Sequence, residues 1–296
     1  MKYLVFGANG FLGSTLVRHL KQAGENIYSV KRTAADGAFA LDITRPEGFE
    51  AITILPDVIV NCASALPDPT KSFSDRDYLR QLYETNVIGG TNIMNWAAAK
   101  GVRRVINCST LVVVNKPWPV PLQETANTYP MGNHVGYSSS KLSQELVMRS
   151  IANVKGIQLL HLRISALYGP GMKDGGILTK LLKQASGKEK ISLTNGNKVS
   201  FDFLHVEDAA KAIHHLAGME EWKDNVINLA SGEEITLMAL AELLSELTES
   251  PKENITNTDE EGFESRAMVE TSLLEYYLEG TGINTRSFAE KVKSMI

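Results

Sequence analysis

The sequence has few cysteines and no excess of one charge. Its two cysteines, Cys62 and Cys108, are too few for a structural zinc site, and each lies in an apolar, strand-like run. We therefore expect buried free thiols in a reducing compartment. Lys and Arg number 30 against 34 Asp and Glu, a net charge of -4, so no nucleic-acid partner is predicted.

Long apolar runs are also missing. None approaches the roughly 18 residues of a membrane-spanning helix, so we expect no membrane association. The first predicted strand begins at residue 3, which leaves no room for a secretory signal peptide. Together with the free thiols, this predicts a cytoplasmic protein.

What is present indicates a globular α/β chain. The 296 residues are 43% hydrophobic, enough for one large domain or up to two smaller ones. Apolar runs alternate with helical patterns, which is typical of parallel sheets with helical crossovers. Strands are predicted near residues 3–6, 26–30, 38–41, 57–63, 102–109 and 157–165, and helices near 75–100 and 137–155. The fold class predicted is a Rossmann-type, doubly wound parallel sheet.

After residue 169 the pattern changes. A helix is predicted near 177–185, and residues 191–204 are predicted to form paired strands around Asn195-Gly196-Asn197. Thr236 can cap a helix over 237–248. We predict a dinucleotide-binding domain of residues 1–169 with about 206–231. A smaller α/β substrate-binding region, residues 170–205 and 232–296, would cover the carboxyl ends of the strands.

A glycine-rich loop, residues 7–13, stands between the first strand and an amphipathic helix. Strand, loop and helix in this order are the context that a dinucleotide-binding loop needs. One glycine permits the turn, one lets the backbone approach a pyrophosphate, and one lets the helix pack on the strand. A plain tight turn is the alternative interpretation. The spacing is GxxGxxG rather than the more familiar GxGxxG.

Tyr137 and Lys141 form a second candidate constellation. Residues four apart share one face of a helix, so the two side chains would be neighbours. A nearby ammonium favours the phenolate, and we therefore expect Lys141 to lower the pKa of Tyr137. The pair could then exchange a proton with a carbonyl or hydroxyl oxygen. Thr110, at the carboxyl end of the strand near 102–109, could hold that oxygen, or it could cap its own backbone.

Taken together, these motifs resemble the extended short-chain dehydrogenase/reductases, the NAD-dependent epimerase/dehydratase group that modifies nucleotide sugars. The resemblance covers nearly the whole chain, and the GxxGxxG spacing is that group's own form. Its motifs in this sequence are GANGFLG at 7–13, NCASA at 61–65, TNVIGGTN at 85–92, CST at 108–110, YSSSK at 137–141, LRISALYGPG at 162–171, FDFLHVEDAA at 201–210 and NLASGE at 228–233.

The resemblance implies roles for individual residues. Tyr137 would be the acid/base, Lys141 would hold the nicotinamide ribose, and Thr110 would orient the substrate. The residues expected to bind the dinucleotide are Gly7, Asn9, Gly10, Phe11, Leu12, Gly13, Lys31, Arg32, Asp42, Ile43, Cys62, Ala63, Ser64, Asn86 and Lys141. Those expected to contact the substrate are Ala65, Thr110, Tyr137, Ala166, Phe201 and Arg266. No metal site is expected.

Lys31 and Arg32 bear on the choice of cofactor. NAD-preferring Rossmann folds place an acidic residue near this position for the ribose 2′-hydroxyl. Two cations favour the 2′-phosphate of NADP instead, which a guanidinium can bind through two hydrogen bonds. A solvated strand end is the alternative. We predict NADP, with NAD as the second possibility.

Departures from the resembling group bear on the substrate. Leu111 and Val112 follow Thr110 where dehydratases carry an acidic pair, which argues against dehydration. Ala166 and Phe201 replace an Asn and an Arg that touch the substrate diphosphate in many members. Arg266 stands where a second diphosphate-binding Arg is found. A loop with Trp118 could line the substrate pocket, or it could be a rigid surface loop.

We therefore predict an enzyme that transfers a hydride between NADP or NAD and a secondary alcohol or ketone of a sugar. A reductase of a nucleotide-linked keto-sugar is the first hypothesis, and an NAD-dependent nucleotide-sugar 4-epimerase is the second. A non-catalytic, NADP-binding redox sensor is the third. Resembling enzymes commonly form homodimers through helices equivalent to 75–100 and 137–155, so a homodimer is possible.

Overall fold

A parallel β-sheet forms the centre of the protein, seen in a computed structural model that describes residues 1–33, 37–68, 70–114, 116–132 and 134–296. The strands are β1 (Lys2–Phe6), β2 (Asn26–Lys31), β3 (Ala38–Ala40), β4 (Val58–Asn61), β5 (Arg104–Thr110), β6 (Gln158–Ile164), β7 (Ala166–Tyr168), β8 (Ile191–Thr194), β9 (Ser200–His205), β10 (Val226–Leu229), β11 (Glu234–Thr236) and β12 (Ile255–Thr258). Seven of them form the main sheet in the order β10-β6-β5-β4-β1-β2-β3, with every pair parallel. The Rossmann-type prediction is confirmed.

Helices cover both faces of this sheet. They are α1 (Phe11–Gln22), α2 (Arg76–Tyr83), α3 (Gly89–Lys100), α4 (Val135–Lys155), α5 (Ile177–Ser186), α6 (Val206–Gly218), α7 (Leu237–Leu247), α8 (Ser272–Leu278) and α9 (Phe288–Lys291). Leu16 of α1 and Ile213 of α6 share a core on one face, and Ile93 of α3 and Met148 of α4 share one on the other. Because both faces are covered, strand residues such as Val60 are apolar and fully buried.

The helical stretch predicted over residues 75–100 contains a π-helical turn. Asp75 caps α2 by accepting hydrogen bonds from the backbone N–H groups of Asp77 and Tyr78. The π-helical turn, Glu84–Ile88, joins α2 to α3 without a break, and the stretch ends at Gly101 with a φ of 76°. No sequence pattern indicated the π-helical turn, which carries Asn86 into the buried space beside α4.

Two short sheets lie outside the main sheet, β11-β9-β7 and β12-β8, and β7 belongs to the chain before residue 170. The predicted pairing of strands within residues 191–204 is wrong, because β8 pairs with β12 and β9 pairs with β7 and β11. The Asn195 and Gly196 corner turns the chain from one sheet to the other. It is held by residues far along the chain, since Gly196 N donates to Asn257 Oδ1 at 2.8 Å and Glu260 N to Asn195 Oδ1 at 2.6 Å.

Polar contacts join the smaller region to the main sheet. Asp202 of β9 accepts hydrogen bonds from the backbone N–H groups of Ser231 and Gly232, which follow β10. Asp208 of α6 pairs with Lys291 and accepts a hydrogen bond from Ser287 at 2.9 Å. The predicted domain bounds remain a proposal. Within the described residues, every helix is too short or too polar to span a membrane.

Candidate active site

The loop between β1 and α1 is built on close backbone approach. Gly7 has a φ of 72°, and a Cβ on it would lie 2.6 Å from the backbone nitrogen of Ala63. A Cβ on Gly13 would overlap the carbonyl oxygen of Gly7. Gly10 is the N-cap of α1 and provides no side-chain cap, so the first N–H groups of the helix stay available. The loop therefore presents backbone donors at a helix N-terminus, which suits a phosphate group.

A cavity of about 360 Å³ opens in front of this loop. Residues predicted to bind the dinucleotide line it: Gly7, Asn9, Gly10, Lys31, Arg32, Asp42, Ile43, Cys62, Ala63 and Ser64. Sequence analysis missed Val30, Leu41, Thr44, Gln81, Glu84 and Thr85, which also line it. Thr85 belongs to the TNVIGGTN motif and could have been found there. Gln81 of α2 and Glu84, which follows α2, carry no sequence signal, since the path of the helix brings them to the cavity.

Other residues predicted to contact the cofactor lie outside this lining. Phe11, Leu12 and Gly13 form the first turn of α1 behind the loop. The fully buried Asn86 accepts hydrogen bonds from Ala65 N at 2.9 Å and Ser64 Oγ at 3.1 Å. Its Nδ2 donates to Ser140 Oγ at 2.8 Å and to Ala65 O at 3.2 Å. In this arrangement the amide holds the segment that follows β4, and Ala65 is bonded to it and is not among the residues that line this cavity.

The far end of the cavity carries opposite charges close together. Asp42 accepts hydrogen bonds from Thr44 N at 3.0 Å and Thr44 Oγ1 at 2.8 Å, which hold the pKa of its carboxyl below the usual range. The nearby positive charge of Arg32 acts in the same direction. Lys31 and Arg32 both border the cavity, so a ligand there meets two cations and one fixed carboxylate.

Tyr137 stands between two cavities. The hydroxyls of Ser64, which lines the dinucleotide cavity, and of Thr110, which lines a second cavity, lie close enough to the phenol of Tyr137 to lower its pKa. Burial raises the pKa of Tyr137 to about 12, although both hydroxyl contacts lower it. The expected lowering of this pKa by Lys141 is therefore wrong for this structure. The phenol is a protonated donor at neutral pH.

Lys141 makes its hydrogen bonds to groups other than the phenol of Tyr137. Its Nζ donates to the carbonyl oxygen of Cys108 at 2.8 Å and to Gln144 Oε1 at 2.5 Å. The side chain is 1% exposed, and burial lowers the pKa of this ammonium to about 8. Such a group changes charge close to neutral pH, which is the range in which a proton-transfer site operates.

The second cavity, of about 270 Å³, lies over the carboxyl ends of β5 and β6. It is lined by Thr110, Leu111, Val112, Lys116, Trp118, Ile164, Ser165, Ala166, Val199, Ser200, Phe201, Asp202, Ser265, Arg266 and Ala267. Predicted substrate residues Thr110, Ala166, Phe201 and Arg266 are therefore brought together here. Trp118 also reaches it, so the loop that follows β5 contributes to the pocket. Thr110 caps its own backbone as well, accepting from Val112 N at 3.4 Å.

Arg266 is already paired in this cavity. Its Nε donates to Glu234 Oε1 at 2.9 Å, and its Nη2 contacts the other carboxylate oxygen. Ser200 Oγ donates to the same carboxylate at 2.5 Å. Phe201 stacks on Phe203 with ring centroids 5.5 Å apart. The positions expected to hold a diphosphate thus provide two apolar side chains and one neutralised guanidinium. The sequence did not indicate Glu234, because no sequence motif connects it with Arg266.

A family profile and two relatives each match most of this chain. The NAD dependent epimerase/dehydratase family profile matches residues 3–230. UDP-glucuronic acid decarboxylase 6 of Arabidopsis thaliana is 28% identical over 265 residues, covering 83% of this chain and 74% of that protein. The 3-diazoavenalumate denitrifying reductase of a Streptomyces species is 28% identical over 226 residues, covering 72% and 70%.

A solved structure shares the whole architecture. UDP-glucose 4-epimerase of Thermus thermophilus, in complex with NAD, superposes with a TM-score of 0.79 at 20% identity. The match covers 99% of this chain and 97% of that one. At this identity the likeness concerns the fold, and it agrees with the Rossmann-type sheet described above.

Proposed function

Because the chain belongs to the NAD dependent epimerase/dehydratase family, we propose that this enzyme transfers a hydride between a nicotinamide dinucleotide and a secondary alcohol or ketone carbon. The observation that carries the proposal is the position of Tyr137. Its phenol lies near Ser64 of one cavity and Thr110 of the other, so it lies where a cofactor and a substrate would meet. A dinucleotide bound in the first cavity would supply or accept the hydride.

The protein's own residues would manage the proton. Tyr137, protonated at neutral pH because of its burial, donates its proton to the carbonyl oxygen of a substrate held by Thr110. Lys141, one helical turn away, would hold the nicotinamide ribose. A protonated tyrosine is the form that reduction of a ketone requires of this residue. This supports a keto-sugar reductase as the first candidate.

The glycine loop would hold the pyrophosphate. Gly7 and Gly13 leave a cradle that a Cβ would fill, and α1 directs its first N–H groups towards it. Lys31 and Arg32 at the far end would bind the 2′-phosphate of NADP. We therefore propose NADPH as the reductant.

The substrate would occupy the second cavity. Among relatives, the Arabidopsis protein is named for a UDP-sugar and the Streptomyces protein is named a reductase. We propose a sugar, with a nucleotide-linked keto-sugar as first candidate. Because Ala166 and Phe201 are uncharged, this cavity would offer the diphosphate of such a substrate fewer charged contacts than the sequence resemblance implies.

A 4-epimerase is the second candidate, favoured by one observation. The Thermus protein of the same fold is a 4-epimerase in complex with NAD. Such a reaction removes a hydride and returns it to the other face, so it needs a tyrosine that also acts as a base. A cofactor that stays bound through the cycle would distinguish epimerisation from net reduction.

Two measurements test the proposal. Mass spectrometry of ligands retained by the purified protein identifies the dinucleotide and any nucleotide sugar. Nicotinamide absorbance with a panel of keto-sugars, nucleotide-linked and free, then reports turnover. NADPH oxidation with one of these supports the reductase. Interconversion of two sugars without net cofactor oxidation supports the epimerase. Tight dinucleotide binding with no turnover on the whole panel overturns both and supports a non-catalytic binding protein.

A further inference from the structure

The side-chain amide of Gln144 is buried in the space between α4, α3 and β5. It is 1% exposed, and both of its polar atoms are engaged. Its Oε1 accepts hydrogen bonds from Lys141 Nζ at 2.5 Å and from Asn107 Nδ2 at 3.2 Å. Its Nε2 donates to the carbonyl oxygen of Asn86 at 2.7 Å. The amide of Gln144 therefore links the ammonium of Lys141 to Asn107 of β5 and to Asn86 of the π-helical turn.

The neighbouring helix is shaped to admit this side chain. A Cβ on Gly90 of α3 would lie 3.2 Å from Gln144 Cγ and 3.3 Å from Gln144 Nε2, which is tighter than ordinary packing. Gln144 follows Lys141 by three residues, so the two side chains share one face of α4. The amide is held on three sides and has little freedom to turn its oxygen away from the ammonium.

Lys141 depends on this oxygen because its other acceptor is a single carbonyl. Among the described residues, Gln144 is the one side chain that accepts from Lys141 Nζ. The adjacent carboxylate, Glu145, is committed to Arg163. A buried ammonium that loses an acceptor is less stable in its charged form, so its pKa falls.

We propose that Gln144 is a positioning residue for hydride transfer, whose amide oxygen holds the ammonium of Lys141 in place one helical turn from Tyr137. The amide nitrogen fixes that oxygen through its bond to Asn86. This inference rests on the proposed function, since it assigns to Tyr137 and Lys141 the roles given above.

Other titratable groups face Lys141 from each element packed around it. They are the thiols of Cys62, which follows β4, and of Cys108 on β5, with Glu145 on α4 and His161 on β6. Burial lowers the pKa of His161 to about 4. The contact of Cys62 with Cys108, together with burial, raises the pKa of the Cys62 thiol. A background with Cys62→Ser and Cys108→Ser removes both thiols and keeps the backbone carbonyl of residue 108, so that a change near pH 8 can be assigned to Lys141.

The test compares Gln144→Glu with Gln144→Met through pH profiles of kcat and kcat/KM. Wild-type activity should fall as pH rises through about 8, where Lys141 loses its charge. A carboxylate at position 144 favours the ammonium and should move this fall upward by about one pH unit. Methionine provides no acceptor and should move it downward by a similar amount, with kcat reduced about tenfold and KM little changed. Gln184→Met, the same change on α5, should leave the profile unchanged.

Binding provides a readout that does not need turnover. The dissociation constant of NADPH is measured by fluorescence at each pH. The pH at which binding weakens should move upward in Gln144→Glu and downward in Gln144→Met. If no substrate is turned over, the proposed function fails, while this binding profile still decides the role of Gln144. An alkaline limb that stays in place, or that moves in one direction for both variants, overturns the inference. If Gln144→Met does not fold, Gln144→Glu decides alone, and an unmoved limb overturns it.

Discussion

Glu145 of α4 and Arg163 of β6 form an ion pair of 2.9 Å in which both side chains are only 6% exposed. Arg163 Nε also donates to the other carboxylate oxygen at 3.2 Å, and Ser109 Oγ donates to that same oxygen at 2.5 Å. Burial alone would raise the pKa of Glu145, but Arg163 holds it below its usual range. The pair joins the helix of Tyr137 to the strand beside β5, and so fixes the acid relative to Thr110.

Removing one member of this pair should strongly destabilise the protein. Glu145→Gln leaves Arg163 buried without a counter-charge, and we expect a loss of about 3–5 kcal/mol in the free energy of unfolding. Asp174→Asn is the matched control, because its partner Lys183 and Asp174 itself are both 68% exposed. That change should cost about 0–1 kcal/mol. Urea unfolding at neutral pH measures both. Equal losses in the two variants would contradict the prediction.

Tyr137→Phe should abolish most turnover while leaving cofactor affinity nearly unchanged. The ring remains, but the proton donor between Ser64 and Thr110 is lost, which is typically worth about 10²–10⁴ in rate. Tyr276→Phe, on the exposed side of α8, is the control and should behave as wild type. Steady-state rates and NADPH titration provide the two numbers. Near-normal turnover in Tyr137→Phe would remove this tyrosine from the catalytic role.

Arg32→Asp should change the cofactor preference. It replaces a cation beside the cavity with a carboxylate that repels a 2′-phosphate and can accept from a 2′-hydroxyl. We expect NADP affinity to fall by about 10–100-fold and NAD affinity to hold or rise. Lys21→Asp makes the same charge change at an exposed position of α1 and should alter neither. A wild-type protein that binds NAD as tightly as NADP would defeat the prediction at the first titration.

Acid should destabilise the protein partly through His161. Burial lowers the pKa of His161 to about 4, so between pH 6.5 and 4 the unfolded chain binds a proton that the folded chain does not. Stability therefore falls as pH falls through this window, by about 2–3 kcal/mol from this group at pH 4.5. His161→Gln should lose less stability between pH 7 and 4.5 than wild type, whereas His134→Gln, at an exposed position, should not differ. Urea unfolding at both pH values checks this. Equal losses in the free energy of unfolding between pH 7 and 4.5 for His161→Gln and wild type would refute it.

Sequence was sufficient where the determinant is local. Val58, Ile59 and Val60 lie on a strand covered on both faces, and their continuous apolar run shows it directly. The glycine loop and the Thr236 cap, which accepts from Ala239 N at 3.1 Å, are likewise set by neighbours within a few residues. The fold class followed from the order of such elements.

Sequence was insufficient where the partner is distant. A corner at Asn195 and Gly196 has the residues of a hairpin turn, yet its hydrogen bonds go to Asn257 and Glu260. The ion pair of Arg266 with Glu234 likewise joins positions 32 residues apart and no spacing rule connects them. The pKa of Tyr137 could not be predicted from its spacing to Lys141, since burial outweighs the charge of a lysine that donates elsewhere.

The interleaving of the two small sheets limits how this enzyme can be re-engineered. Strand β9 pairs with β11 and β8 with β12, so each sheet is completed by strands from both residues 170–205 and residues 232–296. A chimera that exchanges only one of these segments with a related protein leaves strand edges without their partners and invites aggregation. The smallest transplantable unit for altering the substrate is both segments together with β7, which pairs with β9, grafted at two separate points of the main sheet.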